Sequence, residues 1–211
     1  CLCDEGQNAE HTRPEKIREL TARQERFDSY FRACRICLWG HMDVLLARKD
    51  ALDEAGPFAE GMKVAEDLDL WLRIAYRHPE VGFCSRPLAV HHLGIAQSSM
   101  QRFRRQVDYA EFVQRHRKLA AEFGAGSEFA PCASVMIKRW TRSLLFEGRA
   151  EEIREMLVRN RDAVGWAYRM WARALILFPG ITSNTLHGIS RLVRFLKLRR
   201  RAVRRPPGGG R

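Results

Sequence analysis

The sequence predicts an α/β unit followed by an all-helical one. Apolar residues alternate at Ile36, Leu38, Met42, Val44 and Leu46, the period of a strand with one buried face. They then repeat at helical spacing at Leu68, Trp71, Leu72 and Ala75, and from Met100 onward no strand pattern returns. A chain of 211 residues, 45% hydrophobic and 29% charged, has enough apolar material for one good core or two small ones.

Taken in order, residues 14–31 carry helix formers and much charge but few apolar positions, and are expected to form an exposed helix or arm. Residues 36–47 follow as the strand, interrupted at Gly40. Lys49 to Ala55 reads as a short helix stopped by Gly56 and Pro57. The helix through Leu68 and Ala75, widened by Leu70 and Ile74, ends at His78 and Pro79. Val81 to Cys84 and Leu88 to His91 are expected as two short extended pieces parted by Arg86 and Pro87, with Ser98 or Ser99 capping the next helix. Helices are expected near 100–122, 131–147, 150–159, 163–177 and 184–200. The chain therefore divides at 98/99 into a mixed and a helical part, with a basic, disordered tail at 201–211.

The formal net charge of +12 suggests a nucleic-acid binder until its location is considered. Residues 191–211 hold nine basic side chains and no acid, so most of the excess belongs to one end. Nucleic-acid recognition wants a basic groove with aromatic platforms spread over a surface, and this concentration argues against it. A short basic end suits phosphates or anionic lipid. Tryptophans and arginines interleave through 163–198, which fits either helical packing or a lipid headgroup layer, and 184–205 is the stretch expected to meet an anionic membrane. No uncharged run approaches the roughly 18 to 20 residues of a spanning helix.

Six cysteines in a chain without an export signal are expected to be reduced. Cys1, Cys3, Cys34 and Cys37 form a Cys-x-Cys and a Cys-x-x-Cys that offer four thiolates to zinc. The preferred reading makes Cys34 and Cys37 small buried apolar residues beside the strand. Cellular placement follows as cytoplasmic, or peripheral on the inner face of a membrane.

Glu66, Asp67 and Asp69 open the Leu68–Ala75 helix, after a loop at Gly56–Lys63. Free amides and the dipole at a helix start favour ionised carboxylates, and a carboxylate facing a cleft can take a proton from an attacking hydroxyl. The competing reading is that such acids are ordinary helix caps.

Arg48 to Arg73 reads Arg-Lys-x-Ala-Leu-x-x-Ala-Gly-Pro-Phe-Ala-Glu and then, seven residues on, Asp67 within Glu-Asp-Leu-Asp-Leu-Trp-Leu-Arg. This resembles the acceptor-side signature of family 2 glycosyltransferases, well over 36–90 and loosely over 91–99. The resemblance implies an inverting transferase of the GT-A fold, a Rossmann-related α/β architecture, with 1–98 its acceptor-side part. It makes Asp67 the base, lets Glu66 shape the acceptor or hold the loop, and gives Asp69, Trp71 and Arg73 the task of anchoring the helix. It further implies a nucleoside diphosphate sugar donor, a glycan or lipid-linked acceptor, and a divalent metal, Mg or Mn. His92 is the residue set near that metal; the alternative for His91 and His92 is ordinary loop or core histidines, and on a strand only one of the two can face the site. The family's nucleotide-binding strands and metal-binding Asp-x-Asp lie upstream of the matched region, and residues 1–35 show neither. The chain is therefore expected to be a fragment, inactive alone. The alternative function is a basic amphipathic helical scaffold or membrane-surface protein without catalysis.

Overall fold

A computed structural model describes residues 2–7, 10–11, 26–36, 39, 42, 44–91, 103 and 106–177. Among them the protein is mostly helical, with seven helices and four strands. Two compact units divide at Met136/Ile137, so the first helices of the expected helical part belong to the first unit.

In the first unit, β1 (Leu2–Gln7), β2 (Glu10–His11), β3 (Arg26–Phe27) and β4 (Val81–His91) form one sheet in the order β2-β1-β4-β3. β1 runs parallel to β4, with Leu2 opposite Phe83, and the two outer pairings are antiparallel. β4 is one strand of 11 residues rather than the two expected pieces, and Pro87 lies within it. Opposite Pro87 the β1 register shifts at Asp4, the kind of irregularity in which a residue without an N–H is tolerated.

The expected strand at 36–47 is not found among its described residues, which form turns with a single bridge at Leu45. The physical reason lies just before it. Helix α1 (Tyr30–Arg35) buries Tyr30, Phe31, Ala33 and Cys34 and ends with Ile36 as its cap, so the alternating series starts from a helix terminus. Val44 and Trp39 are buried as expected of a core segment, whereas Met42 and Leu46 face solvent. The same helix corrects the exposed arm expected up to residue 31: Phe27, Tyr30 and Phe31 are all buried. Cys34 is buried and in no disulfide, in line with the apolar reading.

Helix α2 (Lys49–Ala55) stops where expected, at Gly56, whose φ of 80° suits a residue without a Cβ. Helix α3 (Glu66–Arg77) buries Leu70, Trp71, Leu72, Ala75 and Tyr76 and ends at His78 before Pro79. Helix α4 (Tyr109–Glu122), within the expected 100–122, is capped by the Asp108 carboxylate, which accepts from the Glu111 amide at 2.8 Å; of the stretch before it only 103 and 106–108 are described. Helix α5 (Gly126–Phe146) starts earlier than expected and runs through Pro131, giving up one backbone hydrogen bond while burying Phe129, Cys132 and Ala133.

In the second unit, the remainder of α5 is joined by α6 (Ala150–Arg159) and α7 (Trp166–Ile176). Its core comprises Ile137, Leu144, Ile153, Met156, Leu157 and Ile176, each at most 2% exposed. Arg149 closes the turn between α5 and α6 with ion pairs to Glu147 at 2.9 Å and Glu152 at 2.6 Å. The expected helix at 184–200 and the tail at 201–211 lie outside the described residues.

Candidate functional site

Helix α3 carries the expected acids in its first turn, and their surroundings differ. At the start, Glu66 and Asp67 are half-buried, and Asp67 Oδ1 accepts from the Leu68 amide at 2.7 Å. The residue before them, Ala65, has φ 65°, the only left-handed backbone among the described non-glycine residues. Such a conformation is costly for a side chain with a Cβ and persists only where its surroundings impose it.

Two residues further on the environment changes. Asp69 is 1% exposed and lies between three cationic or potentially cationic groups. Arg73 Nε donates to Oδ2 at 3.0 Å, Arg115 Nη2 donates to Oδ1, and His116 Nε2 stands 3.0 Å from Oδ1. That last approach lacks the geometry of a hydrogen bond. On the far side of the imidazole, the Tyr76 hydroxyl lies 3.1 Å from His116 Nδ1 and donates to the His116 carbonyl at 3.1 Å. Phe112, Phe31 and Phe129 surround this chain of polar groups, with Phe112 and His116 ring centres 4.4 Å apart.

The charges respond to that setting. Burial pushes the His116 imidazole below its ordinary value, even with Asp69 beside it. Burial alone would raise the Asp69 carboxyl, but His116, Arg115 and Arg73 outweigh it and hold the group below its ordinary value. Burial raises Tyr76, so it stays a neutral donor. These directions predict acid sensitivity. An unfolded chain binds a proton at His116 near its ordinary value of 6.5, whereas the folded protein refuses it until lower pH. Stability is therefore full above about pH 6.5 and falls below it, by at most about 1.4 kcal/mol per pH unit for one proton. Asp69 adds to the loss only below its unfolded value near 3.8. Urea midpoints at successive pH values should decline between about pH 6.5 and 5, and His116→Gln should flatten the decline. A parallel decline in both proteins would remove His116 from the account.

Arg73 also ties α3 to the loop before it. Its Nη1 donates to the Ala55 carbonyl, and at 3.4 Å to that of Gly56, while Nη2 reaches the Pro57 carbonyl at 2.7 Å. One guanidinium thus joins Asp69 to three successive carbonyls at the end of α2, a use of the planar fork that lysine does not reproduce. Of the three residues expected to anchor the helix, Asp69 and Arg73 make these contacts and Trp71 is buried.

A cavity of about 530 Å³ lies along the C-terminal half of α3, between Trp71, Ile74, Arg77, Tyr30 and Arg48. Glu66 and Asp67 do not line it. His91 ends β4 and its side chain is not described; His92, Ser98 and Ser99 lie outside the described residues, as do Cys1 and Cys37 of the zinc alternative. Among the described residues no three His, Cys, Asp or Glu side chains are grouped as metal ligands.

No family model, curated protein or solved structure matches the chain.

Sequence reasoning missed His116 and Arg115 as partners of Asp69, and Tyr76 as the partner of His116. One signal was available: His116 follows Phe112 and Val113 by four and three residues and precedes Ala120 by four, so it lies on the apolar stripe of α4.

Proposed function

We propose that this chain supplies the acceptor side of an inverting glycosyltransferase, with Asp67 as the base. One observation carries the reading more than any other. The two separated stretches of the signature, Ala-Gly-Pro and Glu-Asp-Leu-Asp-Leu-Trp-Leu-Arg, meet through Arg73, which holds Asp69 with one edge and the Ala55, Gly56 and Pro57 carbonyls with the other. This clamp and the buried Asp69–His116 contact fix the helix that bears Asp67, while Asp67 itself is left at the helix start, two residues after the left-handed Ala65. Positioning of this kind is what a general base requires.

In the reaction, the Asp67 carboxylate takes the proton of the acceptor hydroxyl as that oxygen bonds to the anomeric carbon. The bond from that carbon to the nucleoside diphosphate breaks, and the diphosphate leaves with the electron pair. A single displacement inverts the anomeric configuration, so one base suffices. Glu66, beside Asp67 and half-buried, contacts the acceptor or steadies the Gly56–Lys63 loop. The reading includes a nucleoside diphosphate sugar donor, a glycan or lipid-linked acceptor and a Mg or Mn ion to neutralise the departing diphosphate. The described residues provide no ligand set for that ion, so no step is assigned to it. The GT-A fold belongs to this proposal; the parallel pairing of β1 with β4, the strand that follows α3 in the chain, is consistent with it.

The test is transfer from a panel of nucleotide sugars by the product of the complete natural reading frame, with the anomeric configuration of the product read by proton NMR. Inversion is expected. A retained configuration would exclude a single-base mechanism.

A further inference from the structure

We infer that helix α7 is an interfacial anchor whose exposed apolar face lies on an anionic lipid surface. Trp166, Met170, Ala174 and Leu177 stand at steps of four, four and three residues, which stack them along one side of the helix, and Ala167 and Trp171 widen the stripe. All six are exposed, with Trp166 at 70%, Leu177 at 68% and Trp171 at 52%. The opposite side is committed to the core of the second unit through Ala172 and Ile176. Two tryptophans, a methionine and a leucine on one face form the kind of contiguous apolar patch that marks an interaction surface. Tryptophan in particular suits the layer where a bilayer meets water, since its ring is apolar and its N–H is not.

Charge identifies the occupant. Residues 163–211 contain eleven Lys and Arg and no Asp or Glu. On α7 itself, Arg169 and Arg173 flank one edge of the apolar stripe, and the helix bears no acid. An apolar face rimmed by cations is complementary to an anionic headgroup layer over acyl chains. The charge on α7 opposes a second copy of this chain as the occupant, because two-fold pairing through this face would bring Arg169 and Arg173 towards their own copies. No described helix is long and apolar enough to cross a membrane, so contact is by lying on the surface. The inference stands independently of the transferase reading.

Flotation of the full chain with vesicles of phosphatidylcholine, and of phosphatidylcholine with phosphatidylserine in a three-to-one ratio, provides the test. Binding is expected to the anionic vesicles only, with a blue shift of tryptophan emission, and to weaken as salt rises to about 0.5 M. The exposed pair Trp166→Ser and Trp171→Ser should leave the thermal midpoint nearly unchanged and lower partition by about tenfold or more. Three results would overturn the inference. The wild type fails to float, or the double variant floats as well as the wild type so that charge alone acts. Alternatively, the wild type elutes as a dimer that the double variant dissolves, which gives the face to a second copy.

Discussion

Asp69→Ala is expected to lower the free energy of unfolding by about 3 to 5 kcal/mol, the range for breaking a buried ion pair from one side. The carboxylate is 1% exposed and faces Arg73, Arg115 and His116. Its removal leaves the Arg73 guanidinium, only 18% exposed, without its charge partner, and leaves His116 Nε2 facing a void. Arg115 is 36% exposed and turns to water more easily, which keeps the figure from the top of the range. Asp69→Asn preserves volume and separates charge from packing; it should recover less than half of the loss, since a neutral amide offers a single acceptor oxygen where the two guanidinium groups each use a different carboxylate oxygen. Equilibrium urea unfolding of the three proteins reads the difference. A loss below about 1 kcal/mol for Asp69→Ala would mean that the cations are solvated and the cluster is not an anchor.

The helices with strong apolar period were legible in the sequence. The span of α3 was expected from Leu68, Trp71, Leu72 and Ala75, and its end from His78 and Pro79; α2 was bounded by Gly56 and Pro57, and α6 closely matched the expected 150–159. What failed depended on partners distant in sequence. Alternation at 36–47 resembles a strand locally, but a strand exists only with a neighbour to share its hydrogen bonds, and α1 ends at Ile36 where the strand was expected to begin. Pro87 suggested a break because it lacks an N–H, and only the irregular register against β1 shows how β4 passes through it.

The candidate site was legible on the same terms. Glu66, Asp67 and Asp69 were visible as three acids at a helix start, but spacing alone does not tell which is buried. The distinction comes from Arg115 and His116, 46 and 47 positions downstream of Asp69, placed against it by the packing of α4. Asp69 is thereby assigned to structure. The proposed chemistry falls to Asp67, whose described contact is to the amide of its own neighbour.

Asp67→Asn should accordingly behave as the reverse of the Asp69 change. Loss of a carboxylate in the first turn costs less than about 1 kcal/mol through the helix dipole, and the side chain remains nearly the same size. Loss of the base should reduce turnover by about a hundredfold to ten-thousandfold, because an amide does not take the acceptor proton. Acceptor KM should change far less than kcat if Asp67 acts on the proton in flight rather than on acceptor binding. The most direct measurement is kcat for Asp67→Asn in the complete natural protein, taken with its thermal midpoint. A fall in kcat of about a hundredfold or more at an unchanged midpoint is the predicted result, and turnover close to that of the wild type would contradict the assignment of Asp67 as the base.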